Sequence, residues 1–233
     1  MAGNESLVVS GVTVGANIKL YTTTGTLVDA YSNVPVSSFT IQNVLPNTIG
    51  YYVTQTVNGK ESVNSNFANP TLHIPTATAG IGYIDVSNVT SGASLNLYDA
   101  SDSQLVSTTT VNQGNGVFRF ENVVPRSGYY YITQTLGGRE SINTSFVNSM
   151  LPTPVLEGGV GYVEVSNTYA GAALMLYSGA SLVSSSPQSM GNGIYRFTNL
   201  NAATPYYVVQ SINGVLSSAS NIATVQEFIP QHL

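Results

Sequence analysis

The chain predicts an all-β fold of three tandem β-sandwich domains in an extended rod. One observation is a phrase that recurs: YYVTQTVNGKES at Tyr51–Ser62, YYITQTLGGRES at Tyr130–Ser141 and, more loosely, YYVVQSINGVLS at Tyr206–Ser217. Self-similarity at a fixed period marks an array. Tyr21, Tyr98 and Tyr177 are 77 and 79 residues apart, and Gln55, Gln134 and Gln210 are 79 and 76 apart. The other observation is alternation. Short apolar and polar alternating runs are bounded by Gly, Asn and Pro, and no segment holds a helical period.

Repeat one opens with Leu7 and Val9 alternating with Val8 and Ser10. Ile18 and Leu20 then face one way, and Lys19 and Tyr21 the other. Thr24-Gly25 turns the chain into a strand near Leu27–Tyr31. Phe39 and Ile41 alternate with Thr40 and Gln42, and a corner at Val44–Thr48 leads into the recurring phrase. Asn58-Gly59 is a two-residue hairpin signal, and Glu61–Phe67 reads as the returning strand.

Repeat two restates this with Ile84 and Val86, Leu95 and Leu97, the turn Asn115-Gly116, and Phe118 and Phe120. Repeat three has Val163 and Val165, Leu174 and Leu176, Asn192-Gly193, and Tyr195 and Phe197. The apolar run Ala170–Val183 suggests a helix until it is aligned with Gly15–Tyr21 and Gly92–Tyr98, which alternate. About six or seven short strands per repeat make a two-sheet sandwich. The boundaries expected are 1–72, 80–150 and 159–233. Linkers stiffened by Pro70 and Pro75, and by Pro152 and Pro154, fall near 69–80 and 148–159.

Charged residues are 7% of the chain, against about 25% in ordinary globular proteins, so its polar surface is Ser, Thr, Asn and Gln. The net charge of −5 provides no basic stripe for nucleic acid. Cysteine is absent, which removes disulfides, thiolate nucleophiles and Cys-ligated metals. No membrane span is expected, and MAGNESLVVS does not read as a secretory signal.

The segment from Val44 through Pro46, Thr48, Tyr51 and Val53 to Asn58-Gly59 resembles the corner leading into the F strand of a fibronectin type III domain. It is also similar to the immunoglobulin-like repeats of Gram-positive surface and S-layer-associated proteins, whose closing hairpin ends in Glu-Ser. The resemblance covers all three repeats. It implies immunoglobulin-like sandwiches serving as stalks, adhesins, filament subunits or enzyme accessories. Repeat three departs from the pattern: Asn199–Pro205 lacks the corner proline, and Leu216 stands where Glu61 and Glu140 stand.

Catalytic chemistry finds little footing. His73 falls in a linker and His232 near the end, so a Ser-His-Asp triad would need one of them to fold back. Asp99 and Asp102, with Asp85 nearby, are the weak metal candidates. Calcium needs several oxygen ligands, and the aligned loops have no acid. No cofactor is expected. Glu61 and Glu140, beside Lys60 and Arg139, read as charges that blunt a sheet edge. A Lys-Asn crosslink would need a buried Lys in each domain, and Lys19 and Lys60 both lie in repeat one. Leu45-Pro46-Asn47-Thr48 resembles a sortase signal, but reads as the domain corner. Three Asn-x-Ser/Thr matches are what chance supplies in so polar a chain.

Interaction residues are the better candidates. Tyr21, Tyr98 and Tyr177 point outward, suited to stacking on sugars, to a subunit contact, or to packing over the sheet with a wet hydroxyl. Gln55, Gln134 and Gln210 sit on the inward face and would tie loops together. Ser6–Ser10, with Leu7 and Val9, and Thr224–Ile229, with Val225 and Phe228, are candidate donor strands for a neighbouring chain. The expectation is a non-enzymatic structural subunit at a cell or spore surface, homo-oligomeric or polymeric through strand edges and termini. An adhesin stalk binding glycan or host matrix, and a phage tail-fibre or decoration protein, are the alternatives.

Overall fold

The computed structural model describes residues 2–227. Every regular element among them is a strand. Repeat one holds β1 (Ala2–Gly3), β2 (Ser6–Ser10), β3 (Ala16–Thr22), β4 (Leu27–Val34), β5 (Ser38–Gln42), β6 (Tyr51–Val57) and β7 (Lys60–Glu61). Repeat two holds β8 (Thr76–Gly80), β9 (Tyr83–Ser87), β10 (Ser94–Asp99), β11 (Leu105–Ser107), β12 (Val111–Gly114), β13 (Val117–Phe120), β14 (Tyr130–Leu136) and β15 (Arg139–Glu140). Repeat three holds β16 (Val155–Gly159), β17 (Tyr162–Ser166), β18 (Ala173–Ser178), β19 (Ser181–Ser184), β20 (Gln188–Gly191), β21 (Ile194–Thr198), β22 (Pro205–Ile212), β23 (Val215–Leu216) and β24 (Ala223–Thr224).

Each repeat builds two sheets. In repeat three the orders are β16-β17-β21-β20 and β19-β18-β22-β23, with β24 also pairing β22. In sandwich lettering these are A-B-E-D and C′-C-F-G, the constant-type immunoglobulin arrangement with one added edge strand. Repeat two has the same orders, β8-β9-β13-β12 and β11-β10-β14-β15. Repeat one is smaller, with β1-β2-β5 and β4-β3-β6-β7. Its long β4 leaves only Pro35-Val36-Ser37 before β5, too little chain for a D strand.

The alternation seen in sequence sets the faces. Ile18 and Leu20 are buried on β3, as are Leu95 and Leu97 on β10 and Leu174 and Leu176 on β18. Repeat one's core adds Leu7, Val9, Ile41 and Tyr51 to these. Repeat three's core gathers Leu156, Val163, Val165, Phe197, Tyr206, Val208 and Val225. A tyrosine corner starts each of these two F strands. Tyr51 Oη donates to Leu45 O at 2.7 Å, and Tyr206 Oη donates to Asn201 O at 3.3 Å. The second corner survives without the proline.

The chain divides into two compact units, and the division falls inside repeat two. Unit one is Met1–Ala77, Val86–Arg119 and Tyr130–Phe146; unit two is Thr78–Asp85, Phe120–Tyr129 and Val147–Leu233. Within unit one, Gly137 sits where an added Cβ would lie 2.5 Å from Pro46 O, so the hairpin of repeat two reaches the corner of repeat one. Within unit two, Asn213 Nδ2 donates to Pro125 O at 3.2 Å, the same hairpin-to-corner contact one repeat later.

The stretches 69–80 and 148–159 are partly built into the sheets. β8 and β16 begin inside them, with Pro75 and Pro154 immediately before the first paired residues, where a missing N–H costs little. Leu72 and Leu151 are buried. Gln134 Nε2 donates to His73 O at 2.7 Å, and Gln210 Nε2 to Pro152 O at 2.5 Å. Their Oε1 atoms accept from Thr90 N and Tyr169 N, both at 2.7 Å. A buried amide finds partners on both sides and ties the incoming chain to the B–C loop.

The returning strand is also shorter than Glu61–Phe67. Only Lys60–Glu61 pairs regularly, as do Arg139–Glu140 and Val215–Leu216. Beyond them, a hydroxyl at every third residue replaces a carbonyl. Gln55 N donates to Ser62 Oγ and Val53 N to Ser65 Oγ, both at 3.0 Å. Gln134 N and Ile132 N do the same to Ser141 and Thr144, and Gln210 N and Val208 N to Ser217 and Ser220. A spacing of three cannot keep the two-residue period of a ladder, so the strand ends.

Candidate interaction face

Tyr21, Tyr98 and Tyr177 lie on the outer face of the C′-C-F-G sheets, half-buried. Each stacks on a tyrosine directly opposite on the F strand. Tyr21–Tyr52 centroids are 5.2 Å apart, Tyr98–Tyr131 5.1 Å and Tyr177–Tyr207 5.4 Å, with ring planes within 13–18° of parallel. On the C′ side, Leu27, Leu105 and Leu182 pair with the same three tyrosines and are 52–55% exposed. On the G side, Phe67 lies 6.1 Å from Tyr52. Phe146 and Ile222 hold the equivalent place, two residues past Thr144 and Ser220 as Phe67 is past Ser65, and all three are 65–69% exposed. Each repeat thus carries one ridge from C′ to G: Leu, Tyr, Tyr, then Phe or Ile.

Sequence reasoning found one member of each ridge. The others had a signal: Tyr52, Tyr131 and Tyr207 are second in the Tyr-Tyr pair, and each leucine opens a Leu-Val dipeptide on the C′ edge. What could not be read was the register that aligns them.

Beside the ridge, a second outward row differs between repeats. In repeat one, Lys19 pairs opposite Thr54, whose Oγ1 donates to Glu61 at 2.6 Å; Lys19 Nζ donates to Glu61 at 3.2 Å. The Thr54 hydroxyl, then Lys19, hold the Glu61 carboxyl below the usual carboxylate range, and Glu61 in turn raises Lys19. In repeat two, Glu140 accepts from Thr133 Oγ1, from Tyr98 Oη at 3.0 Å and from Asn96 at 3.3 Å. Burial, then the Glu140 hydrogen bond, raises Tyr98 above the ordinary phenol value. Thr54 and Thr133 are buried beneath these networks. In repeat three the row is Met175, Val209 and Leu216, and Val209 is only half-buried.

The remaining candidates fall elsewhere. Leu7 and Val9 are buried in repeat one's core, because β2 is paired on both sides, with β1 and β5. Val225 is buried in repeat three's core; β24 pairs β22, and Gly158 admits the tail at a point where a Cβ would lie 1.9 Å from Thr224 O. Both stretches proposed as donors are thereby used inside their own chain as far as they are described. Phe228 and His232 lie outside the described residues. Asp99 is buried and accepts from Ser101 N and Oγ; Asp102 accepts from Gln104 N. These are turn bonds, and no group of three His, Cys, Asp or Glu is placed to hold a metal among the described residues. His73 Nε2 lies 3.5 Å from Glu5 Oε2, and Glu5 also accepts from Thr90 Oγ1. No helix among the described residues is long and apolar enough to cross a membrane.

The fold defines the class: an array of immunoglobulin-like β-sandwiches, an architecture that hosts many functions. No family model matches the chain, and no curated protein matches it. Solved structures that resemble it include extracellular domains 3–5 of Drosophila OTK, at 12% identity, covering 97% of this chain and 95% of that one, TM-score 0.23. The I9–I11 tandem of titin is similar at 13% identity, covering 97% and 95%, TM-score 0.28. The BSP domain of a biofilm-associated protein is similar at 18% identity, covering 68% of this chain and 30% of that one, TM-score 0.31.

Proposed function

We propose that this chain is a structural subunit of an exposed cell or spore surface that associates with copies of itself through its C′-C-F-G faces. Three immunoglobulin-like domains, near 1–72, 80–150 and 159–233, present these faces. The ridge repeated at one register in every repeat carries the reading. Stacked tyrosines cover one ring face each, and Phe67 covers more of Tyr52. A sugar platform needs open ring faces, whereas a protein partner packs against a ridge flanked by exposed Leu and Phe. A chain with only 7% charged residues sets little repulsion between copies.

Sedimentation over a concentration series tests this. Wild type is expected to show reversible association, and the combined Tyr21→Ser, Tyr98→Ser and Tyr177→Ser variant to shift it at least about 10-fold weaker at unchanged circular dichroism. A glycan-array signal lost in the same variant, with wild type monomeric throughout, would replace self-association by sugar binding.

A further inference from the structure

Resting on that reading, we propose that the C′-C-F-G face of repeat three is the primary contact, and that its occupant is the same face of a second copy across a two-fold axis. The equivalent faces of the three repeats share the ridge but not the row beside it. Repeats one and two close that row with hydrogen bonds. Thr54 lies under Glu61 and Lys19, and Thr133 under Glu140 and Asn96. These groups have their partners within the chain, and removing a carboxylate from water against an apolar partner is costly.

Repeat three replaces the whole row at once. Met175 stands for Lys19 and Asn96, Val209 for Thr54 and Thr133, and Leu216 for Glu61 and Glu140. Leu216 is 62% exposed, and Val209 loses the cover that buries both threonines. Together with Leu182, Tyr177, Tyr207 and Ile222, the row forms a continuous apolar face. The opposite sheet of the same repeat has a charged centre: Arg196 donates to Glu164 at 2.7 Å and lies 3.9 Å over the Tyr162 ring. Its exposed apolar side chains Val155 and Met190 are separated, one on each edge strand, β16 and β20.

A second copy fits this face better than an unlike partner. The face carries no charge, so it offers nothing by which a charged partner is selected, and an apolar face is complementary to itself in a two-fold contact. Its size sets the strength. β22 and the G segment beside it run about 26 Å, β18 about 20 Å and β19 about 13 Å, so at about 4.8 Å between strands the face spans about 400 Å² in plan. Two such faces bury about 800 Å² in plan, the size of a weak, transient contact, which gives a reversible dimer.

The test uses residues that repeat one already accommodates. Met175→Lys, Val209→Thr and Leu216→Glu together rebuild on repeat three the row Lys19-Thr54-Glu61, so the variant carries a row that the equivalent sheet of repeat one already holds. By equilibrium sedimentation, this variant is expected to dimerise at least about 10-fold more weakly than wild type. The reverse exchange, Lys19→Met with Thr54→Val and Glu61→Leu, gives the chain a second apolar face and is expected to extend dimers into longer oligomers. Because the chain lacks cysteine, Ser211→Cys is expected to crosslink two copies on oxidation, and Thr56→Cys is not. Wild type that associates as strongly as the rebuilt variant, with no Ser211→Cys crosslink, overturns the repeat-three contact and leaves self-association standing. Wild type that is monomeric at every concentration overturns both.

Discussion

At the scale of single residues, electrostatics here is local, because charges are few and several are met by a close neighbour. Asp29 accepts from Tyr31 Oη at 2.6 Å and from Ala30 N at 2.8 Å. The tyrosine hydroxyl first, then the backbone N–H, hold its carboxyl below the usual range. Burial first, then Asp29, pushes Tyr31 from 10.0 up to about 12. A phenol whose folded pKa is raised binds its proton more tightly when folded. Its contribution to stability is complete below pH 10 and is lost as pH rises from there towards about 12. Unfolding midpoints are expected to fall across that window, and Tyr31→Phe to flatten the fall. An equally steep decline in Tyr31→Phe would assign the effect elsewhere.

At the scale of the element, the G segment shows why a strand can be present in pattern and absent in pairing. Serine or threonine at every third residue offers hydroxyl oxygens to which the F strand's N–H groups donate in place of carbonyls. Ser65 Oγ donates onward to Asn66 O, and Ser220 Oγ to Asn221 O, so one hydroxyl serves two partners. Two of the G segment's own carbonyls are thereby occupied, and its irregular pairing makes the edge a poor template for strand addition. Ser220→Ala is expected to leave the buried Val208 N–H without an acceptor, at a cost of about 1–3 kcal/mol. Thermal melting and faster hydrogen exchange at Val208 measure it; unchanged exchange there would mean that another acceptor steps in.

At the scale of the whole molecule, a surface of amides and hydroxyls makes association a matter of apolar contact. An ion-paired interface weakens as salt screens it, whereas an uncharged one does not. Self-association is therefore expected to change less than about 3-fold between 50 and 500 mM sodium chloride, and to strengthen in sulfate, which favours apolar burial. A steep loss with sodium chloride would move the contact onto Lys19, Glu61 and the other charges.

Sequence alone determined the array, the sandwich, and which of Ile18, Lys19, Leu20 and Tyr21 face in or out. These are local properties: a two-residue period fixes sidedness, and a recurring phrase fixes repetition. It also placed Gln134 and Gln210 as loop ties, since a buried amide must be paired. Tertiary structure alone decided what lies beside what. Leu182, Tyr177, Tyr207 and Ile222 are far apart in sequence, and only strand register sets them in one ridge. The same holds for the row Met175, Val209 and Leu216. In sequence Leu216 is one missing glutamate; on the sheet, it completes an apolar face that the other two repeats keep closed.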